Sequence, residues 1–452
     1  MTNKKRSVGI LGAGISGLSA AYKLSKNNIA ITVYEKDDQV GGAIKTHNEN
    51  GWLVEEGPNT LMVKHQQVWD FLKELDLINK SIEAGKTAKK RFIVKDGQPT
   101  PLPMSPSNFL TTNLFSAKAK FRLLKEPFIP QSNKADESIA DFITRRLGRE
   151  PLDYAVNPFV SGIYAGDPKK LSVKHTFEPL WDMEQQHGSL LKGMFKRDRN
   201  SNPPKRALLS FEKGNQQLPM TIANALGNTV QTETKIQSVL KSGERWTVEG
   251  QQKNGTFTDE HDIILSTLPA HSLSAIFEDT IFAPLNDLPY APLCVVALGF
   301  SDNQIGHPLD GFGMLIPEVE NCKTLGALFS SSLFPGRAPK NHQLLTCFIG
   351  GARNPELAEK SENELRTIVL DEISKLLNIT GEPTYSHFRF WPKTIPQYEV
   401  GYDKVLNQIA EIENQKNGLF IVGNFRGGVS VPDCILSGFE TAKKVQTFLK
   451  GR

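Results

Sequence analysis

The sequence predicts an α/β fold, and three features near its start predict it. A short apolar run at residues 8–11 leads directly into a glycine-rich turn at residues 12–17. Apolar residues then recur at helical spacing, and a second β-prone run at residues 30–34 ends at Glu35. Strand, glycine-rich turn, helix and strand in this order are typical of a βαβ unit that begins a parallel sheet.

Each part of this unit suits the binding of a dinucleotide. Gly12 permits the tight turn, Gly14 lets the backbone approach a pyrophosphate, and Gly17 lets the helix pack close to the sheet. The helix N-terminus offers free N–H groups to phosphate oxygens. Glu35 can accept hydrogen bonds from both ribose hydroxyls, and its charge would repel a 2′-phosphate. The further glycine pair at residues 41–42 suits a longer dinucleotide, so the pattern favours FAD over NAD.

Composition and charge describe a globular protein of several domains. With 452 residues, 39% of them hydrophobic and 23% charged, the chain is long enough for two or three domains. The net charge of +4 is mild, so we expect no nucleic-acid partner. The cysteines are scattered without metal-ligand spacing, so we expect free thiols and no metal site. They are Cys294, Cys322, Cys347 and Cys434.

The sequence contains no signal for secretion or for crossing a membrane. Residues 1–6 are a short basic lead into the first strand and include no apolar signal segment. The longest apolar runs, such as residues 293–300, fall far short of a membrane span. We therefore expect a cytoplasmic protein, with any attachment being peripheral and on the cytoplasmic face of the inner membrane.

The middle of the chain, residues 104–206, differs in character from both ends. Apolar side chains alternate with cations between residues 109 and 129, a further helix is predicted at residues 138–147, and the tail at residues 192–206 is basic. We interpret this region as a helical insertion. Two interpretations of its surface stay open: a solvated basic face, or contact with an anionic membrane surface.

Outside the insertion, the pattern predicts further elements in order. A helix is expected at residues 68–77, a hairpin around the turn at residues 96–97, and a strand at residues 229–236. A buried parallel strand is expected at residues 262–269, short alternating strands at 293–350 and a helix at 365–377. Near the C-terminus, a strand at residues 419–422 is followed by a glycine pair and a helix that begins near Pro432. The dipole of that helix would stabilise negative charge on a reduced flavin, so both chain ends are expected to hold the cofactor.

Several of these motifs together resemble the flavin amine oxidase superfamily. They are the glycine fingerprint with Glu35, residues 40–42, residues 262–269, the stretch Trp391…Pro396…Tyr398, and Gly423-Asn424. Within that superfamily, longer stretches are similar to the oxygen-dependent protoporphyrinogen oxidases. Those stretches are residues 56–59, 157–168, 311–317, 324–326 and 348–351, of which residues 161–168 are the most specific.

The resemblance implies three structural parts assembled from separate segments. A Rossmann-like FAD-binding domain of the p-hydroxybenzoate-hydroxylase type would comprise residues 1–85, 207–290 and 401–452. An α+β substrate domain would comprise residues 86–103 and 291–400. An α-helical membrane-binding insertion would comprise residues 104–206.

The resemblance also implies which residues form the site. Leu315, Leu328 and Phe348 would enclose a tetrapyrrole, Asn59 would be the catalytic polar group beside the flavin, and Gly162 would approach the macrocycle from a loop. FAD contacts are expected from Gly12, Ala13, Gly14, Ile15, Ser16, Gly17, Glu35, Lys36, Gly42, Ala43, Gly57, Pro58, Asn59, Thr60, Ile236, Trp391, Gly423, Asn424, Val429, Ser430 and Val431.

The sequence departs from the family pattern at one position. Related sequences often carry a basic residue between the turn at residues 96–97 and Pro101, where it would pair with a substrate propionate, but here Thr100 stands there. Either a hydroxyl suffices, or Arg91 or Lys95 supplies the charge, or the substrate is held differently.

The resemblance implies an oxidase of haem biosynthesis. It would convert protoporphyrinogen IX to protoporphyrin IX in three flavin cycles, and three O2 would yield three H2O2. The expected partners are the porphyrinogen, O2 and membrane lipid, and a homodimer and contact with ferrochelatase are also considered. Coproporphyrinogen III oxidation is the nearest alternative, followed by an amine oxidase or carotenoid desaturase and by a catalytically silent FAD-binding scaffold. Thr100 favours protoporphyrinogen slightly, because a substrate with four propionates would want more cations.

Overall fold

A computed structural model describes residues 5–196 and 204–451, and these residues form twenty strands. They are β1 (Ser7–Leu11), β2 (Ala30–Tyr34), β3 (Thr46–Glu49), β4 (Trp52–Glu55), β5 (Leu61–Val63), β6 (Ser81–Glu83), β7 (Phe92–Lys95), β8 (Gln98–Pro101), β9 (Ala207–Phe211), β10 (Val230–Gln231), β11 (Lys235–Ser242), β12 (Arg245–Gln252), β13 (Gly255–His261), β14 (Ile263–Ser266), β15 (Tyr290–Ser301), β16 (Gly313–Leu315), β17 (Thr324–Phe329), β18 (His342–Gly350), β19 (Tyr385–Pro396) and β20 (Leu419–Ile421).

The helices fall between these strands and concentrate in the middle of the chain. They are α1 (Ile15–Ser25), α2 (Gln66–Glu74), α3 (Pro106–Thr111), α4 (Ala117–Leu124), α5 (Ile139–Arg146), α6 (Arg149–Pro151), α7 (Asn157–Tyr164), α8 (Val173–Thr176), α9 (Glu178–His187), α10 (Leu190–Lys196), α11 (Gln217–Leu226), α12 (Leu273–Phe277), α13 (Ser330–Leu333), α14 (Glu362–Leu377), α15 (Asp403–Gln415) and α16 (Val431–Lys450).

A five-stranded sheet of order β10-β2-β1-β14-β20 gathers strands from both ends of the chain. Its neighbouring strands are parallel throughout. The central strands β1 and β14 are almost entirely buried, which explains their continuous apolar sequence. Helices α1 and α16 pack closely against each other at Gly438. A Cβ at this position would lie 2.5 Å from the Ser16 carbonyl oxygen, so the close contact requires glycine. The two chain ends therefore form one unit, as the sequence predicts.

A mixed seven-stranded sheet has the order β19-β15-β18-β17-β16-β7-β8. One face packs against α14 through alternate residues such as Val296, Cys347 and Met314. Helix α14 begins at a capping box in which the Ser361 hydroxyl and the Glu364 carboxylate satisfy each other's backbone N–H groups. Because side chains alternate along a strand, the residues between these core positions point to the opposite face.

The structure corrects two of the predicted strands. The run at residues 229–236 is not one strand, because Glu233 has a φ of 51° and separates β10 from β11, which belong to different sheets. The region after residue 290 opens with the long strand β15, which pairs on both sides and is buried at almost every position. Its interior place in the sheet explains why alternation is absent there.

The middle region is helical, and a buried ion network ties it together. Arg146 lies 3.2 Å from Glu126 and also pairs with Glu184, and all three side chains are fully buried. Glu126 accepts hydrogen bonds from Ser189 and from the Leu190 backbone, at the start of α10. Part of the predicted basic tail, residues 197–203, lies outside the described residues. Among the residues that are described, no helix is both long and apolar enough to cross a membrane.

Candidate functional site

The glycine-rich turn joins β1 to α1 in a closely packed conformation that requires glycine. Gly12 has a φ of 97°, which L side chains rarely adopt. A Cβ on Gly17 would lie 2.3 Å from the Gly12 carbonyl oxygen, so this position must lack a side chain. Glu35, at the end of β2, reaches across and accepts a hydrogen bond of 2.9 Å from the Ala13 backbone N–H. The second strand therefore fixes the turn that precedes the helix.

The surroundings of Gly14 fit the pyrophosphate of a dinucleotide. A Cβ on Gly14 would meet no atom within 4 Å, so the backbone here borders open space. Helix α1 begins directly after Gly14, and no side chain caps its N-terminus. Its first N–H groups are thus available to phosphate oxygens. Gly42, with a φ of 60°, brings the second glycine pair against Gly14.

The C-terminal segment approaches the same region with its own helix start. Gly427 and Gly428 have φ values of 94° and 113°, and Ser430 caps α16 by accepting a hydrogen bond from the Asp433 N–H. Tyr398 donates a hydrogen bond of 2.5 Å to the Asn424 carbonyl oxygen and so fixes the preceding turn.

The remaining predicted cofactor residues lie on the segments that surround this region. Ile236 is buried on β11, and Ala43 lies so close to Gly57 that a Cβ there would collide with the Ala43 carbonyl oxygen. The other predicted contacts are neighbours of these residues in the chain: Ile15, Ser16, Lys36, Pro58, Thr60, Gly423, Val429 and Val431.

Trp391 connects the seven-stranded sheet to the turn at residues 56–59. Its indole N–H donates a hydrogen bond of 2.6 Å to the Glu56 carbonyl oxygen. The Glu56 carboxylate lies 2.8 Å from His387 Nε2, and the rings of His47 and His387 stack at 4.1 Å. His47, Glu56 and His387 present ligand-type atoms within 4.8 Å of one another. Because the two imidazole planes are nearly parallel, their in-plane lone pairs do not converge on one point, and we interpret the group as a hydrogen-bonded support for the turn.

The predicted substrate residues share one face of the seven-stranded sheet. Phe348 pairs with Gly326, Gly326 with Leu315, and Leu315 with Ile93. Leu328 lies two residues beyond Gly326 on β17, so its side chain points to the same face. Phe348, Leu315 and Leu328 are each only partly buried, whereas their neighbours on the other face form the α14 core. We call the face that carries these three residues the apolar wall.

Gly162 lies in helix α7 and not in a loop, which corrects the prediction. A Cβ at this position would lie 2.9 Å from Leu315 Cδ2. The absence of a side chain therefore lets α7 pack against the apolar wall. Gly162 therefore helps to place α7 against the wall, and its approach to the macrocycle stays a prediction.

Thr100 ends the same cross-strand row, because it pairs with Ile93 in the β7–β8 hairpin. It lines a cavity of about 280 Å³ together with Leu102 and Asn108. Its hydroxyl is bonded to the Gln98 carbonyl oxygen at 3.3 Å. Thr100 is thus at the rim of the wall and carries no charge.

Of the two cations considered in place of Thr100, Lys95 is engaged, whereas Arg91 has no hydrogen-bond or ion-pair partner for its side chain among the described residues. The Lys95 ammonium donates to the carbonyl oxygens of Asn113 and Leu114, each at 2.9 Å. Arg91 stacks over the Phe312 ring at 5.0 Å, and among the described residues it has no acidic partner. Burial lowers the pKa of Arg91. An anionic ligand would therefore find Arg91 unpaired.

Asn59 lies beside a buried polar network that the sequence did not predict. Its side-chain amide donates to the Gly57 carbonyl oxygen at 3.0 Å, and Asn59 borders a small cavity with Glu55, Ser330 and Arg337. Asn215 belongs to the same network, because its side-chain amide donates a hydrogen bond of 2.7 Å to the Pro58 carbonyl oxygen. The signal in the sequence was only that polar residues flank a predicted turn.

Comparisons with known proteins show the family and the fold of this chain. The family model described as flavin containing amine oxidoreductase matches residues 15–446. Protoporphyrinogen oxidase 2, chloroplastic/mitochondrial, of Arabidopsis thaliana is 37% identical over 98% of this chain and 94% of its own length. Coproporphyrinogen III oxidase of Bacillus subtilis (strain 168) is 28% identical over 99% of this chain and 100% of its own length. A solved structure from Exiguobacterium sp. 255-15 is similar with a TM-score of 0.83 at 23% identity, covering 98% and 99% of the two chains.

Proposed function

Because the chain belongs to the flavin containing amine oxidoreductase family, we propose that it is an FAD-dependent oxidase that converts protoporphyrinogen IX to protoporphyrin IX in haem biosynthesis. The single observation that carries the proposal is the apolar wall, whose residues Leu315, Leu328 and Phe348 share one face of the sheet and are each only partly buried. A flat macrocycle requires such a surface, with a few polar anchors at its rim. The identity of 37% to a protoporphyrinogen oxidase over 98% of the chain supports the same substrate class.

FAD accepts hydride from the substrate when it is bound, and this chain's residues bind and orient both molecules. The turn at residues 12–17 and Glu35 would hold the dinucleotide, and the start of α16 would face its reactive end. The apolar wall would position the macrocycle and exclude water. Arg91 would pair with a propionate, since Lys95 is already bonded, and Thr100 would contribute a hydroxyl at the rim. Asn59 would orient the substrate beside the flavin.

The reaction would consume three O2 and release three H2O2, since three two-electron oxidations convert a porphyrinogen to a porphyrin. A homodimer and contact with ferrochelatase stay predictions from the resemblance. The three domains, with the boundaries predicted from the sequence, are part of the same proposal.

The insertion would attach the enzyme to the cytoplasmic face of a membrane. Phe121, Leu124 and Phe128 follow one another at helical spacing, and all three are largely exposed. Phe195 on α10 is exposed as well, and the Glu126 network holds α10 next to Phe128. Lysines interleave these residues along α4 and α10. Exposed aromatic groups beside cations favour an anionic lipid interface.

Coproporphyrinogen III is the second candidate substrate. The relative from Bacillus subtilis that carries this name matches the whole chain, although at the lower identity of 28%. The two substrates require the same flavin chemistry and differ in the number of propionates, so the wall accommodates either macrocycle.

A porphyrin fluorescence assay tests the proposal directly. The purified yellow protein is mixed aerobically with protoporphyrinogen IX or coproporphyrinogen III, and porphyrin emission is followed against a control without enzyme. We expect fast formation of protoporphyrin. If neither porphyrinogen bleaches the flavin under anaerobic conditions, the proposal is refuted. If the protein oxidises amines instead, it belongs to another branch of the family.

A further inference from the structure

The face that carries the apolar wall has an arginine towards each end of the sheet. Arg389 on β19 pairs with Val295, and Val295 pairs with Phe348, so Arg389 lies in the same cross-strand row as Leu315. Towards the opposite end, Arg91 precedes β7, which lies next to the edge strand β8, and stacks over Phe312. Five strand spacings of about 4.8 Å separate β19 from β7, or roughly 24 Å between the backbones. Both side chains project from this face, so they border the apolar wall from two sides.

The charge of Arg389 is incompletely paired. Its Nε lies 3.6 Å from a Glu56 carboxylate oxygen, beyond hydrogen-bond distance, and that nitrogen is buried without a hydrogen-bond partner. The other Glu56 oxygen is already engaged by His387 at 2.8 Å. Among the described residues, Glu56 is the one acidic group within 4 Å of this guanidinium.

The guanidinium is also held in place and accessible. It lies over the Trp391 ring, 4.5 Å from the centroid, and stacking of this kind fixes the plane of an arginine without using its N–H groups. The side chain is 38% exposed. The arrangement leaves the terminal N–H groups available for a planar, bidentate anion such as a carboxylate.

We propose that Arg389 forms a second carboxylate-binding subsite, at the β19 edge of the apolar wall. The inference rests on the proposed function and deepens it, because it bears on which porphyrinogen is preferred. Coproporphyrinogen III carries one propionate on each of its four pyrroles, so it presents carboxylates to Arg91 and Arg389 at the same time. Protoporphyrinogen IX carries its two propionates on neighbouring pyrroles and reaches one edge only. Arg389 is therefore a specificity-determining residue for the second candidate substrate, because it adds a contact that only the porphyrinogen with four carboxylates makes.

The test compares product binding and turnover in four proteins that retain FAD: the wild type, Arg389→Gln, Arg389→Lys and the control Arg366→Gln. Arg366 lies over Phe388, on the opposite face of the same strand, so its substitution removes an equal charge away from the wall. Quenching of protein fluorescence measures the binding of coproporphyrin III and of its tetramethyl ester. We expect Arg389→Gln to weaken binding of the acid about tenfold and of the ester hardly at all, since one charge-assisted hydrogen-bonded pair is lost.

The remaining arms separate the competing outcomes. Arg389→Lys restores part of the affinity, Arg366→Gln leaves it unchanged, and the KM for coproporphyrinogen III rises more in Arg389→Gln than the KM for protoporphyrinogen IX. Equal weakening of acid and ester, or loss of FAD from Arg389→Gln, overturns the subsite. Failure of the wild type to oxidise either porphyrinogen refutes the proposed function instead, and the binding measurement on the product still decides the role of Arg389.

Discussion

The carboxylate of Glu55 lies 3.3 Å from the guanidinium of Arg337, and both side chains are at least 96% buried. Arg337 follows helix α13, in the connection between β17 and β18 of the seven-stranded sheet. Glu55 ends β4, directly before the turn at residues 56–59. Glu55 also accepts a hydrogen bond from the Asn215 backbone N–H. This pair joins the sheet that carries the apolar wall to the turn expected to contact FAD.

Replacement of Arg337 by leucine is expected to lower the free energy of unfolding by about 1–3 kcal/mol at pH 7.5, because it forces Glu55 to take up a proton and leaves the buried Ser210 hydroxyl without the guanidinium that it contacts. Urea denaturation followed by circular dichroism measures the change. Arg149→Leu is the control, since its partner Asp153 belongs to an exposed i,i+4 pair, and a loss of about 0–1 kcal/mol is expected there. Equal losses in the two variants would contradict the role assigned to the buried pair.

The pH dependence of stability is expected to carry a contribution from Glu55. Burial raises the pKa of Glu55 from 4.5 to about 7, despite the opposing effect of Arg337. Between these two values, the folded protein keeps a proton that the unfolded chain has released, so this contribution to stability is present below pH 4.5 and is lost as the pH rises towards 7. In Glu55→Gln the contribution is absent. As the pH rises from 4.5 to 7, the wild type should therefore lose stability relative to Glu55→Gln. A difference in unfolding free energy that stays constant over this interval would be contrary evidence.

Local patterns were sufficient to predict the nucleotide-binding half of the fold. The turn at residues 12–17, the parallel strand at residues 262–269 and the helix after Ser430 are defined by short-range spacing of glycines, apolar runs and caps, and the structure confirms all three. Strand register is not local, since the row from Phe348 to Thr100 depends on the pairing of Ile93 with Leu315, which are 222 residues apart in the chain. For this reason the resemblance indicated several wall residues, but the sequence did not predict the roles of Arg389, Arg337 and Asn215.

Gly14→Val is expected to abolish retention of FAD while the fold persists. A side chain at Gly14 meets no protein atom within 4 Å, so it would occupy the open space assigned to the pyrophosphate. The flavin absorbance of the purified protein and its circular dichroism spectrum measure the two properties. Gly17→Val provides the contrast, because its side chain would collide with the Gly12 carbonyl oxygen and should disrupt folding itself. A normally yellow Gly14→Val protein would exclude this turn as the cofactor site.

Phe348→Ala is expected to raise the KM for porphyrinogen about tenfold or more with unchanged flavin content, since the wall loses a large apolar contact with the substrate. Ile349→Val is the matched control: Ile349 is fully buried on the other face of β18, so its truncation should cost about 0.5–1.5 kcal/mol of stability and leave KM unaltered. If Phe348→Ala left KM at the wild-type value, Phe348 would not belong to the substrate surface.

Binding to lipid vesicles is expected to depend on the aromatic side chains of the insertion. Phe128 is 85% exposed and Phe121 is 69% exposed, and full burial of one such side chain contributes about 1.5–3 kcal/mol. The double variant Phe121→Ser/Phe128→Ser should therefore bind vesicles containing anionic lipid at least tenfold more weakly, as measured by co-sedimentation. Met220→Ser, which removes an exposed apolar group from α11 outside the insertion, serves as control and should bind like the wild type. Added salt should weaken the wild type as well, because the interleaved lysines contribute through screened attraction to the lipid charge. If the wild type and the double variant bound vesicles equally, Phe121 and Phe128 would not form the membrane contact.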